Sequence, residues 1–365
     1  MGESIMRIMI YFDSIVPSGG IERVISNLIK HVFINDQVYI VTKDDGEPFY
    51  DIGHARHLTL DLNQNLDMSS RFSRIKTRII MMIRVKSKLK DKIVDISPDI
   101  IYTATPLNGL EVIISGGENI VATEHASYDA PNIVYQLMKK IVYKKAEFLV
   151  VPTKIDAERY WKDGYNVKYI PHLNTYEAES VNFKTRKNIL LNVGRMTSDK
   201  QQEELLRVWS LIIHQDRIQN WKLEIAGTGE LEKRLQDVIE EENLQDFVIM
   251  NGQSVDIGEK YSSSKIFVLT SKMEGFGMVL LEAMSFGLPC ITFNCPSGPA
   301  EIVKSDVNGL VVQLNDFLAL RRAIVELISD QERLELLSNK TYDYIKSWPN
   351  SEIIEEWHNL LHKVN

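Results

Sequence analysis

Cysteine is almost missing from this 365-residue chain, where Cys290 and Cys295 are the only two. Two cysteines are too few for a disulfide framework, and the second pair that a structural zinc site needs is absent. A reducing compartment with two buried thiols is the expectation. No apolar run approaches the ~20 residues that cross a bilayer. The opening MGESIMRIMIYF has neither a cationic leader nor a cleavage site, and Met6 stands where a myristoylation signal places Ser or Thr. That segment reads as a first buried strand. Positive charge is not in excess either: 42 Lys plus Arg face 50 Asp plus Glu, for a net charge of −8. This argues against a general nucleic-acid coat and leaves room only for a local basic patch. Internal repeats and low-complexity tracts are also lacking.

What is present is ordinary globular material, 44% hydrophobic and 25% charged, and at ~150 residues per domain the length suggests about two domains. Short runs rich in Ile, Val and Tyr alternate with longer helical stretches, the pattern of parallel sheets flanked by helices. Strands are predicted near 6–12, 37–42, 99–103, 119–123, 147–151 and 167–170. A second series is predicted near 189–194, 221–226, 247–251, 266–270, 289–293 and 309–312. Between the two series, residues 175–188 (TYEAESVNFKTRKN) show no hydrophobic period and are assigned as a linker. This gives an N-terminal domain over 1–174, a C-terminal domain over 189–347 and a tail over 348–365. Residues 1–170 carry 22 basic and 21 acidic side chains, so the net negative charge resides in the remainder.

Several segments can carry chemistry. Gly19 and Gly20 end the first strand unit just before an amphipathic helix. They make either a plain strand-to-helix turn or an anion site, in which bare backbone amides and a helix N-terminus meet a phosphate. Arg195 and Lys200 follow the strand ILLNV, at the end of a parallel sheet where ligands collect. They are a solvated surface pair or two cations for a diphosphate. In SKMEGFGMVLLEAMSFGLP, Glu274 lies in a glycine-interrupted turn and Glu282 eight residues later in the helix that Gly277 opens. Helical rise throughout would separate them by ~12 Å, the reach of a sugar nucleotide from hexose to ribose; the plainer reading is a capping Glu and a paired Glu. His125, beside Glu124, lies past a strand end and is either structural or catalytic. CPSGPAEIV can shape a pocket or make an ordinary Pro-Gly turn. Residues 71–90 hold eight Lys or Arg and no acid, with apolar residues at roughly helical spacing, and MKKIVYKK adds a second basic cluster. Either they form a solvated basic face or they lie on anionic lipid; with no aromatic stacking series, nucleic acid is disfavoured.

Taken in order along nearly the whole chain, SGGIERV, VGRMTSDKQ, IAGTGELEKRL and the E-x7-E segment EGFGMVLLE followed by AMSFGLPCITF resemble the family 4 retaining glycosyltransferases. NCPSGPAEIV is similar to bacterial members that build surface polysaccharides or lipid-linked oligosaccharides. The resemblance implies the α/β GT-B fold: two Rossmann-like domains facing across a cleft, with SWPNSEIIEEWHNLLHKVN as a C-terminal helix returning to the first domain. It implies that Arg195 and Lys200 bind the donor diphosphate, with Gly19 and Gly20 approaching from the other domain, and that Glu282 binds the ribose. Glu274, with the backbone of Gly275, Phe276 and Gly277, would hold the hexose, and the following Met278 and Val279 would complete the donor-binding set. His125 matches the family's first-domain histidine near the transferred sugar. Gln201 departs from the pattern, since many members have Gly after the lysine.

On this reading the chain moves a hexose or N-acetylhexosamine from a UDP-sugar to a glycan or lipid-linked acceptor. It works without a cofactor in the cytoplasm, at the inner face of the cell membrane. No Asp-x-Asp motif occurs, which fits a metal-free course in which cations and helix N-termini stabilise the leaving diphosphate. Two other readings are a nucleotide-sugar epimerase of similar architecture and a silent partner subunit. VGRMTSDK with EGFGMVLLE speaks against the first, and the presence of Glu274, Glu282, Arg195 and Lys200 against the second.

Overall fold

The computed structural model describes residues 5–62, 71–129, 133–174, 176–178, 181–252 and 257–364, with residues 71–79 described in backbone only. The chain forms two compact units, Met1–Leu173 with Pro349–Asn365 and Asn174–Trp348.

The first unit alternates strand and helix: β1 (Arg7–Tyr11), α1 (Gly20–His31), β2 (Gln37–Thr42), β3 (Arg56–Thr59), α2 (Arg71–Ile96), β4 (Ile100–Thr103), α3 (Pro106–Ile114), β5 (Ile120–Thr123), α4 (Ile133–Lys145), β6 (Phe148–Val151), α5 (Lys154–Lys162) and β7 (Val167–Tyr169). All strand pairs are parallel, in the order β3-β2-β1-β4-β5-β6-β7. Strands such as IIYT and IVAT are buried at every position, as expected where helices cover both faces of a parallel sheet. The edge strand β3 is absent from the sequence prediction. Its four residues, RHLT, are exposed at Arg56 and half-buried at the other three, and offer no apolar run to read.

The second unit repeats the plan with β8 (Ile189–Val193), α6 (Gln202–His214), β9 (Lys222–Ala226), α7 (Glu232–Glu241), β10 (Val248–Asn251), α8 (Ile257–Ser263), β11 (Ile266–Leu269), α9 (Met278–Ser285), β12 (Cys290–Asn294), α10 (Pro299–Ile302), β13 (Gly309–Gln313), α11 (Phe317–Ser329) and α12 (Gln331–Lys346). Its parallel sheet runs β10-β9-β8-β11-β12-β13. Trp209, Trp221, Leu223 and Ile225 fill its core. Cys290 and Cys295, at the ends of β12, are free and buried, and burial pushes both thiols up, Cys295 to about 12.

The stretch assigned as a linker is instead part of the second unit. Phe183 is buried in that unit's core, Tyr176 meets Phe286 edge-on at 5.3 Å, and Arg186 donates to the carbonyls of Ser264 and Phe286. Three isolated side chains anchor the segment, too few to show a period. The last helix, α13 (Asn350–Val364), belongs to the first unit. Its Trp357 is buried against Phe33 and Tyr102, and His358 Nε2 lies 2.9 Å from the Val32 carbonyl.

Each sheet reverses its strand order once, between β1 and β4 in the first and between β8 and β11 in the second. In open parallel sheets a crevice opens at such a point, beyond the carboxyl ends of the flanking strands.

Candidate active site

In the second unit the loops leaving β8 and β11 carry the cations and the first carboxylate. The Lys200 ammonium lies 2.7 Å from Glu274 Oε1, with both side chains largely shielded from solvent. Ser271 donates its hydroxyl to the same carboxylate oxygen at 2.6 Å, and Ser297 donates to the Glu274 carbonyl at 3.1 Å. The loops are also tied through backbone: Thr270 donates to the Lys200 carbonyl and the Lys272 amide to that of Asp199. Arg195 is exposed, with no side-chain partner among the described residues.

Glycines set the spacing here. Gly227 has φ +142°, and a Cβ on it would lie 2.1 Å from the Gly194 carbonyl oxygen. The chain at 227–229 therefore runs against 194–196, burying Met196 and leaving Arg195 turned outward. Gly298 (φ +84°) does the same for the acidic loop, since a Cβ would meet the Phe276 carbonyl oxygen at 2.4 Å.

Gly277 caps α9 at φ +96°, and five residues later in that helix Glu282 is buried and accepts a hydrogen bond from Tyr261 at 2.9 Å. Only Met278–Ser285 is helical, so the helical-rise estimate for the Glu274 to Glu282 spacing does not apply to its first half. Phe276 and Met278 are buried, Gly275 and Val279 half-buried. Gln201 takes φ +53°, the left-handed conformation that glycine adopts without strain. Its side chain donates to Asn315 at 3.0 Å, which offsets part of that cost.

In the first unit, Gly19 is the N-cap of α1 with extended backbone and no side-chain cap, and nothing lies within 4 Å of where a Gly20 Cβ would sit. His125 and Glu124 point apart, as neighbours in extended chain do. Glu124 is a buried anchor, ion-paired with Lys139 at 2.7 Å and accepting from Tyr143 and Tyr160 at 2.9 Å each. His125 Nε2 lies 2.9 Å from Thr123 Oγ1, and its ring stacks on His172 with centroids 5.5 Å apart. Burial pushes its pKa down to about 4, so the ring is neutral at pH 7.

A further constellation escaped the sequence reading. At the β1/β4 reversal the Lys43 ammonium bridges Asp13 at 2.6 Å and Glu111 at 2.8 Å, while Tyr11 donates to Glu111 and Asn108 to Asp13. Lys43, Glu111 and Asn108 are buried, and the Asp13 side chain is 55% exposed. The arrangement holds a carboxylate at the open edge of the sheet. Burial opposes the charge on Lys43, but Asp13 and Glu111 outweigh it and raise its pKa. These residues are distant in the chain and match no short motif; the only signal was Glu111 among the apolar residues of GLEVII. Among the described residues no group of three or more His, Cys, Asp or Glu is placed to hold a metal ion.

Residues 175–344 match the family model described as glycosyl transferases group 1. The amylovoran biosynthesis glycosyltransferase AmsD of Erwinia amylovora is 27% identical over 97% of this chain and 99% of its own length. The GalNAc-alpha-(1->4)-GalNAc-alpha-(1->3)-diNAcBac-PP-undecaprenol alpha-1,4-N-acetyl-D-galactosaminyltransferase of Campylobacter jejuni is 25% identical over 95% of this chain and 96% of its own. Among solved structures, a variant of S. aureus TarM in complex with fondaparinux, alpha-GlcNAc-glycerol and UDP superposes with a TM-score of 0.81 at 14% identity, covering 98% of this chain and 100% of that one. At that identity the likeness shows the fold alone. The two reversing parallel sheets and the C-terminal helix that belongs to the first unit give this chain the GT-B fold, and its second unit carries the match to glycosyl transferases group 1.

Proposed function

We propose that this chain is a retaining, metal-independent transferase that moves a hexose or N-acetylhexosamine from a UDP-sugar to a glycan or lipid-linked saccharide, in the assembly of a bacterial surface polysaccharide. The observation that carries the reading is the Lys200–Glu274 contact at the β8/β11 reversal, with Arg195 unpaired on the same loop as Lys200. A cation that already meets a carboxylate, next to one that meets nothing, suits a ligand bearing both hydroxyls and negative charge. Arg195 and Lys200 hold the donor diphosphate and stabilise the charge it gains as the glycosidic bond breaks. Glu274 and the backbone of Gly275, Phe276 and Gly277, with Met278 and Val279, hold the hexose. Glu282 accepts from the ribose hydroxyls. His125, neutral at pH 7, is a hydrogen-bonding group for the sugar or its acceptor rather than a charge. The acceptor attacks from the face the diphosphate leaves, and a donor phosphate oxygen takes its proton. The relatives support the sugar and acceptor classes, one being named for a PP-undecaprenol glycan, and the TarM structure contains UDP.

The proposal includes work in the cytoplasm at an anionic membrane surface, met by residues 71–90. No helix among the described residues is long and apolar enough to cross a membrane. Exposed Ile80, Met82 and Ile83 on α2 support surface contact, as do Ile133, Val134, Leu137 and Ile141, which form one exposed stripe along α4 beside Lys140 and Lys144.

The test is to incubate the purified protein with a panel of UDP-sugars, measure UDP release with and without lipid-linked acceptors, and repeat in EDTA. Acceptor-stimulated release that survives the chelator is expected. Loss in EDTA with recovery in manganese overturns the metal-free course, and sugar conversion without UDP release overturns transfer.

A further inference from the structure

At the amino-terminal edge of the second sheet, opposite the end that carries Arg195 and Glu274, lies a cavity of about 610 Å³. Its lining comes from the start of β8, the start of β9 and helix α8, and it is rich in charge. Lys260 is paired with the buried Glu224 at 3.0 Å, so those two charges cancel. Lys187 and Lys222 are exposed at the rim, and neither ammonium meets a partner among the described residues. Arg186 forms part of the floor and is 6% exposed. Two of its guanidinium nitrogens donate to the neutral carbonyls of Ser264 and Phe286; among the described residues Nε has no acceptor and no carboxylate pairs with it. Glu259 supplies the one unpaired acid of the lining. Three unpaired cations against one unpaired anion leave the cavity positively charged inside a chain of net charge −8. A buried guanidinium without a counter-charge is costly, and an anion above it recovers part of that cost.

We propose that this cavity binds a small, multiply charged anion of the phosphate class, at a site separate from that of the sugar-nucleotide diphosphate. The volume falls within the range of small-molecule sites. Two flexible lysines at the rim and a fixed arginine below suit a diphosphate-sized group, one end held by Lys187 and Lys222 and the other lying over Arg186. Its source is either a free inorganic ion or the phosphate of a metabolite, and both present the same oxygens to these cations.

Inorganic pyrophosphate is the probe, measured by calorimetry on the full chain in which Arg195→Ala and Lys200→Ala have removed the two cations proposed for the donor. That background keeps this inference apart from the reading of the active site. Pyrophosphate should still bind there, weaken as salt rises, and lose at least about tenfold in affinity when Lys187→Gln and Lys222→Gln are added, as expected for two charge-assisted contacts. Both lysines are exposed, so the added substitutions should leave the melting temperature of the ligand-free protein unchanged. Orthophosphate and a sugar phosphate, run in parallel, distinguish the two sources. If pyrophosphate binding disappears with Arg195 and Lys200, or persists undiminished without Lys187 and Lys222, the cavity is not an anion site.

Discussion

Glu282 is the residue at which a role in the fold and the proposed role in ligand binding can be separated. It is 3% exposed and its Oε2 accepts from Tyr261, and a carboxylate has room for several donors. If its carboxylate meets ribose hydroxyls, the interaction exists in ground and transition states alike and affects donor affinity more than turnover. Glu282→Ala should then cost about 1.5–3 kcal/mol in UDP binding, the scale of a charged hydrogen bond. Calorimetry on a variant shown to be folded decides it, and unchanged affinity removes Glu282 from the site. Lys43 is the corresponding residue in the first unit. Its side chain is 8% exposed between two carboxylates, and Lys43→Met should destabilise that unit by about 3–5 kcal/mol, because Glu111 keeps a buried charge with no cation beside it. Thermal unfolding reads this directly.

At the scale of elements, the geometry of the candidate site depends on backbone contacts between loops. Gly227 stands against Gly194 with no room for a methyl group and with a backbone angle that L-residues avoid. Gly227→Ala should push the 194–196 segment away and misplace Arg195, so that UDP-sugar turnover falls at least about tenfold while far-UV circular dichroism stays native; a displacement of about 1 Å is enough for such losses. Helices α2 and α4 make the second prediction at this scale. If the basic helix meets lipid, the protein should sediment with anionic but not zwitterionic vesicles and release in high salt. Replacing Arg71, Arg74, Arg78 and Arg84 with Gln should weaken that binding; if a folded variant binds as before, helix α2 is not the contact.

For the whole molecule, two half-buried histidines contribute to the response to acid. Burial lowers His125 to about 4 and His172 well below its ordinary value, where the His125 ring adds to the effect. The unfolded chain protonates both near pH 6.5. Between those values the unfolded state binds more protons than the folded one, so stability is complete above about pH 6.5 and declines as the pH falls toward 4. The loss attributable to His125 is about 1–3 kcal/mol. Melting of wild type and His125→Asn across pH 7.5 to 4.5 should show a shallower decline in the variant. A decline of equal slope places the acid sensitivity elsewhere.

Several features were legible in the sequence because they are local. All strands but β3 follow from short apolar runs, and the turn at Gly277 and the N-cap at Gly19 follow from glycines placed before helical periods. The order of motifs along the chain was enough to suggest the family. What the sequence left open was every relation between residues remote in the chain. Lys200 meets Glu274, Tyr261 meets Glu282, and Lys43 joins Asp13 to Glu111, because strand order brings the ends of β8 and β11, and of β1 and β4, side by side. The assignment of 175–188 to the second unit was likewise decided by tertiary packing, with Phe183 buried in a core built almost wholly from later residues. Local periodicity reports which face of an element is apolar; which elements become neighbours depends on burying those faces together, and that is settled only when the whole sheet forms.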